Sequence, residues 1–98
     1  MASEFEGSAQ TLKVLGHPVR LKIVAGLEAH PCCVRDIWSC LGMPQALVSQ
    51  HLAILKTHGI IAGTRRGVEM HYTVVDPLAK RIVDSLHELN FPERGDKQ

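Results

Sequence analysis

Apolar residues recur along this chain with two different periods, and the change between them divides it. From Ser8 to Leu15 the spacing is helical and stops at Gly16. Pro18–Ala29 resumes it: Pro18 suits a first helical turn, and Leu21, Val24 and Leu27 fall on one face. His30-Pro31 closes that segment. Val34–Leu41 is shorter, with Val34, Ile37 and Leu41 spaced for one side of a helix. Gly42 marks a tight turn, and Pro44 opens a longer helix to about Thr57, with Gly59 suited to the left-handed position after its end. This helix is expected to bury Leu47, Val48, Leu52 and Leu55 and to leave Gln45, Ala46, Ser49 and Gln50 on another face.

After Gly59 the period shortens. Ile60–Thr64 and Glu69–Val75 are rich in β-branched and aromatic residues and flank Arg65-Arg66-Gly67, which predicts a hairpin with the two arginines at its tip. Asp76-Pro77 then combines an N-cap with a proline at the first turn. The helix it starts, to about Leu89, carries Leu78, Ile82, Leu86 and Leu89 in a stripe too long to hide inside so small a chain. The expected order is α-α-α-α-β-β-α, mainly helical with one small hairpin, which is the layout of a winged helix-turn-helix.

Length changes this picture little: 98 residues make one domain, residues 1–98, with frayed ends expected at about 1–7 and 92–98. The apolar runs are too short to cross a bilayer, and no secretory leader opens the chain, so a cytoplasmic protein without membrane contact is expected. Three cysteines, an odd number, argue for free or metal-bound thiols in a reducing compartment. Net charge is only +1, yet it is unevenly spread. Glu4 and Glu6 give residues 1–10 a charge of −2, whereas Lys56, Arg65 and Arg66 against Glu69 give residues 45–72 a charge of +2. Local sign matters more than the sum when one face must meet phosphate.

Three stretches in this order, Leu15-Gly-His-Pro-Val-Arg-Leu-Lys-Ile23, Leu47-Val-Ser-Gln-His-Leu-Ala-Ile-Leu-Lys56 and Gly59-Ile-Ile61 before the hairpin, resemble the ArsR/SmtB family of bacterial transcriptional repressors. The resemblance runs from about Leu12 to Leu89. It implies a homodimer that binds a palindromic operator in double-stranded DNA and lets go when an inducer binds. It also implies a dimer interface on the first and last helices, here Leu12, Leu15, Leu78, Ile82, Leu86 and Leu89. The DNA-binding residues expected on this basis are Gln45, Ala46, Ser49, Gln50 and His51 on the reading helix, His51 more for packing or phosphate contact than for reading a base, with Arg65 and Arg66 on the wing. Chemistry agrees: glutamine pairs bidentately with adenine, alanine lies against a thymine methyl, and arginine suits phosphate or a narrow minor groove. Arg20 reads as structural. The wing departs from the family, which often has a base straight after the turn glycine where this chain has Val68 and then Glu69.

The candidate sensor is Cys32 with Cys33. Arsenical repressors of the family carry Cys-Val-Cys-Asp-Leu before the reading helix, and Cys33-Val34-Arg35-Asp36-Ile37 keeps only its first thiol. Two adjacent thiolates still favour a soft ion, trivalent arsenic or antimony first. Cys40 ranks behind as a third ligand: on one straight helix it would lie about 10.5 Å along the axis from Cys33. A small core residue is the better account of it. Zinc or cobalt, using His30 with the thiols, and oxidation of a Cys33 thiolate beside Arg35 are the alternatives. On the last helix Asp76 is accounted for as an N-cap, and Asp84, His87 and Glu88 read as a solvated face, so the family's second metal site is not expected. No organic cofactor is expected. A winged-helix interaction module without DNA binding is the rival reading. An oxidoreductase is disfavoured because adjacent cysteines lack the Cys-x-x-Cys spacing and no βαβ pattern appears.

Overall fold

The computed structural model describes residues 2–29, 32–33, 37, 39 and 41–90. Its elements are α1 (Ala2–Leu15), α2 (Pro18–Ala29), β1 (Cys32–Cys33), α3 (Gln45–Thr57), β2 (Ile61–Arg66), β3 (Glu69–Val74) and α4 (Pro77–Asn90). The short helix expected at residues 34–41 falls largely outside the described residues, and of these Ile37, Ser39 and Leu41 are helical. The expectation of a frayed 92–98 also lies outside them.

Several boundaries follow from local chemistry. Helix α1 starts at Ala2, six residues before the Ser8 expected from the apolar spacing, so residues 2–7 are helix and not a frayed end. Gly7 costs an exposed helix only about 1 kcal/mol, and Glu4 in the first turn complements the positive end of the helix dipole. His17 caps α2, its Nδ1 accepting the Val19 N–H at 3.1 Å. Helix α3 closes in a Schellman motif: Ile60 N–H donates to the Leu55 carbonyl at 3.0 Å and Gly59 N–H to Lys56 at 3.0 Å. Gly59 makes this possible by taking φ +72. Asp76 caps α4 through Leu78 N–H (3.1 Å), and its second oxygen accepts from Thr11 Oγ1 (3.2 Å), tying α1 to α4.

The hairpin corrects the expected turn. Strand β2 continues through Arg66, which pairs with Glu69, so the loop is Gly67-Val68 alone. Gly67 has φ +64 and Val68 does not have positive φ, as in a type II′ turn with glycine first. Arg65 and Arg66 therefore belong to the ladder, opposite Met70 and Glu69, and side-chain alternation sends them to opposite faces. A third strand went unforeseen. Cys32 and Cys33 pair antiparallel with Tyr72 and His71, giving the sheet order β1-β3-β2.

One core joins these pieces. Val14 and Leu15 from α1, Ile23, Val24 and Leu27 from α2, and Val48, Leu52 and Leu55 from α3 meet Ile60, Ile61, Val74, Ala79 and Val83. Leu47 was expected among them and is exposed instead, because at 100° per residue it lies about 80–140° around the helix from Val48, Leu52 and Leu55. Leu15, expected at a dimer interface, is already buried in its own chain. The α4 stripe is only partly covered: Ala79 and Val83 take the core, Leu78, Ile82 and Leu86 are half-buried, and Leu89 is 75% exposed. Phe5 (73%) and Leu12 (54%) leave a second apolar strip on α1. The architecture is a winged helix-turn-helix.

Candidate nucleic-acid interface and cysteine site

Helix α3 has one buried arc and one open arc. Val48, His51, Leu52 and Leu55 face inward, while Gln45, Ala46, Ser49 and Gln50 are all exposed within an arc of about 140°. Pro44, in extended conformation (φ −59, ψ 141), precedes the first turn, and its carbonyl accepts from the N–H groups of Leu47 and Val48 at 3.1 Å each. The first turn carries no acid, so nothing there repels a phosphate or a guanine edge. Because the opposite face is locked in the core, the four outward side chains sit on a rigid support, as side chains that read bases require.

His51 belongs to the inward arc and is corrected accordingly. Expected to face DNA, it is 8% exposed, with its ring 4.6 Å from that of His17 and tilted by 52°. Arg20 Nη1 donates to His51 Nδ1 at 3.4 Å, and Arg20 Nε donates to the Val14 carbonyl at 2.6 Å. Burial first, then the neighbouring His17 and Arg20 charges, hold the His51 pKa below the ordinary histidine value. The structural role expected for Arg20 thus takes a definite form. The angle of His51 beside Leu55 was the available clue, since its helical position already falls inside the buried arc.

On the hairpin, Arg65 and Arg66 are exposed. Ile61, Gly63 and Arg65 share a face with Val74, Tyr72 and Met70, whereas Ala62, Thr64 and Arg66 share the other with Thr73, His71 and Glu69. His71 Nε2 donates to Glu69 Oε1 at 3.2 Å on that second face. Val68 stands at the turn with 92% of its surface open.

The backbones of Cys32 and Cys33 lie on β1, hydrogen-bonded to the middle strand of the wing and not within the start of a helix. Cys40, His30 and Arg35 lie outside the described residues. Among the described residues no group of three His, Cys, Asp or Glu side chains is placed to hold a metal ion. Asp76 is engaged by Leu78 and Thr11, in keeping with the reading that it is a cap. No helix among the described residues is long and apolar enough to cross a membrane.

Comparison with known proteins adds an independent line. The family model for bacterial regulatory proteins of the arsR family matches residues 17–62. The repressor SmtB of Mycobacterium tuberculosis is 39% identical over 83% of this chain, which spans only 61% of the length of SmtB. The transcriptional repressor PagR of Bacillus anthracis is 35% identical, with 86% of this chain and 85% of PagR covered. Its crystal structure superposes with a TM-score of 0.82 at 34% identity, covering 88% and 99% of the two chains. HlyU of Vibrio cholerae, at 27% identity, gives a TM-score of 0.87 over 91% of this chain and 97% of its own.

Proposed function

We propose, from the premise that the chain belongs to the ArsR/SmtB family of bacterial regulatory proteins, that it is a dimeric DNA-binding transcriptional repressor released by an inducer at Cys32 and Cys33. The observation that carries this reading is α3, whose Gln45, Ala46, Ser49 and Gln50 stand exposed on a helix anchored by Val48, Leu52 and Leu55. Such a face offers bidentate amides for adenine and a methyl for thymine in a major groove. Arg65 and Arg66 supply contacts to the phosphate backbone or minor groove.

The dimer is supported by surface left over. Phe5 and Leu12 on α1, with Leu78, Ile82, Leu86 and Leu89 on α4, leave apolar area that a two-fold copy would cover. A two-fold axis then sets two copies of α3 in successive major grooves, about 34 Å apart. The assignment is of a binding protein with no catalytic residues, in line with relatives that are named as repressors.

Trivalent arsenic or antimony is the inducer that two adjacent thiolates favour, ahead of zinc and thiol oxidation. The placement of β1 supports a route from the thiols to DNA. Cys32 and Cys33 pair through their backbones with Tyr72 and His71 of β3, so ligation there would pull on the wing itself. The test is fluorescence anisotropy of the reduced protein on a duplex selected from a random-sequence library, against a scrambled duplex, and then with arsenite added. Preference for the selected duplex and release by arsenite, abolished by Cys33→Ser, support the whole reading. Equal affinity for both duplexes would sink the operator, and release that survives Cys33→Ser would sink the sensor.

A further inference from the structure

Among the described residues His51 is the one polar side chain buried in the core, and it sits on the reading helix directly after Gln50. A buried polar group is tolerated when its partners are in place, and here they come from two other segments. His17, at the joint between α1 and α2, sets its ring against that of His51, tilted by 52° with centroids 4.6 Å apart. Arg20 of α2 reaches both ways, to His51 Nδ1 at 3.4 Å and to the Val14 carbonyl of the last turn of α1 at 2.6 Å. One guanidinium therefore joins the C-terminal end of α1 to the inward face of α3.

Donor and acceptor roles are settled by chemistry. Arginine can only donate, so Nδ1 of His51 must be the acceptor and the proton of the neutral ring must be on Nε2. Likewise His17 accepts the Val19 N–H through its own Nδ1. A proton added to His51 would go onto the nitrogen that faces Arg20, setting donor against donor and cation against cation. Among the described residues no carboxylate pairs with the ring to offset that added charge.

We infer that His51 is a positioning residue for operator recognition: its neutral ring, clamped by Arg20 and His17, fixes α3 against α1 and α2 and so sets where Gln50 and Ser49 point. This rests on the operator-binding reading above. It makes recognition acid-sensitive through a side chain on the buried side of α3. Burial, and after it the charges of His17 and Arg20, keep His51 neutral to below the ordinary histidine value. The sign follows: clamp and operator affinity are complete above that value and are lost as pH falls through the lower, folded-state value. Below it, specific affinity drops by up to about tenfold per pH unit if only the neutral form is competent.

The experiment is anisotropy of the full chain on the selected and the scrambled duplex, from about pH 8 to about pH 5, for wild type and His51→Asn. The asparagine Oδ1 stands close to where Nδ1 was, accepts from Arg20 and does not titrate. Expected is a selected-to-scrambled affinity ratio that collapses on acidification for wild type and stays flat for His51→Asn. Taking the ratio cancels the general strengthening of DNA binding that protonated surface histidines cause. Parallel profiles for the two proteins would overturn the inference. Should His51→Asn not fold, long-range nitrogen–proton NMR of wild type decides alone. It should show the Nε2–H tautomer and backbone amides of Ser49 and Gln50 that follow the His51 titration; an Nδ1–H tautomer or unresponsive amides would overturn it. Absence of any selected-over-scrambled preference near pH 8 would instead remove the operator reading itself.

Discussion

Arg65 and Arg66 are neighbours in sequence, yet the ladder gives them different surroundings, and their contributions to DNA binding should differ. Arg65 lies opposite Met70, an uncharged partner, on the face that runs down to buried Ile61 and Val74. Arg66 lies opposite Glu69, and directly opposed side chains in such a ladder have Cβ atoms about 4.5–5.5 Å apart. A carboxylate that close repels the phosphate that Arg66 would attract. Each phosphate neutralised on duplex DNA contributes about 0.9 to the slope of log affinity against log salt. Over a fourfold rise in salt, from about 50 to about 200 mM, one such contact is worth about 3.5-fold in affinity. Arg65→Ala should remove nearly that full amount from the salt dependence. Arg66→Ala should remove clearly less, and the deficit should disappear in a Glu69→Gln background, where both replacements become alike. Anisotropy titrations at four or more salt concentrations measure all the slopes. Equal slope changes for the two arginines with Glu69 intact would refute the reasoning, as would no change for either.

Three further outcomes follow from individual contacts. Asp76→Ala removes both the α4 cap and the bond from Thr11, a loss of about 2 kcal/mol that lowers Tm by about 8–16 °C in a domain this size; a thermal circular-dichroism shift near zero would discredit the tie between α1 and α4. Gly63→Val places a Cβ 2.9 Å from Tyr72 Cε1 and 3.2 Å from Met70 Sδ, so the urea midpoint should fall by the equivalent of about 1–3 kcal/mol, and Tyr72→Ala in the same chain should recover part of it. Val68→Lys puts a base at the open turn position where the wing lacks one, and should tighten binding to every duplex while steepening the salt slope by about one; unchanged affinity would take the hairpin turn away from the DNA.

What could be read in advance was whatever the chain writes locally. Asp76-Pro77, Gly59 after a run of helical apolar positions, and Gly67 between β-branched stretches each specify a boundary within a few residues, and the structure follows them. The exposed arc of Gln45, Ala46, Ser49 and Gln50 came from the same 100° periodicity. Long-range features were not legible. Strand β1 is two residues whose partners, Tyr72 and His71, lie about forty positions later, so no local pattern announces it. The bond from Arg20 to His51 spans 31 positions. His51 enters the DNA-binding set through its place in the reading-helix motif, as a packing or phosphate contact, and its angle on α3 matches the buried arc. Arg65-Arg66-Gly67 reads as the turn because it lies between the two β-rich stretches, whereas the positive φ of Gly67 holds the loop to two residues and leaves the arginines in the ladder.

The central claim is that the outward face of α3 reads bases, and one thermodynamic cycle tests it. Wild type and Gln50→Ala would each be titrated onto the selected duplex and onto a series with single base-pair changes under the same salt. The account predicts that Gln50→Ala costs about 1–3 kcal/mol on the selected duplex and that this cost vanishes at one altered base pair, the one Gln50 contacts. A cost that is the same on every duplex, or none at all, would contradict base reading by this helix.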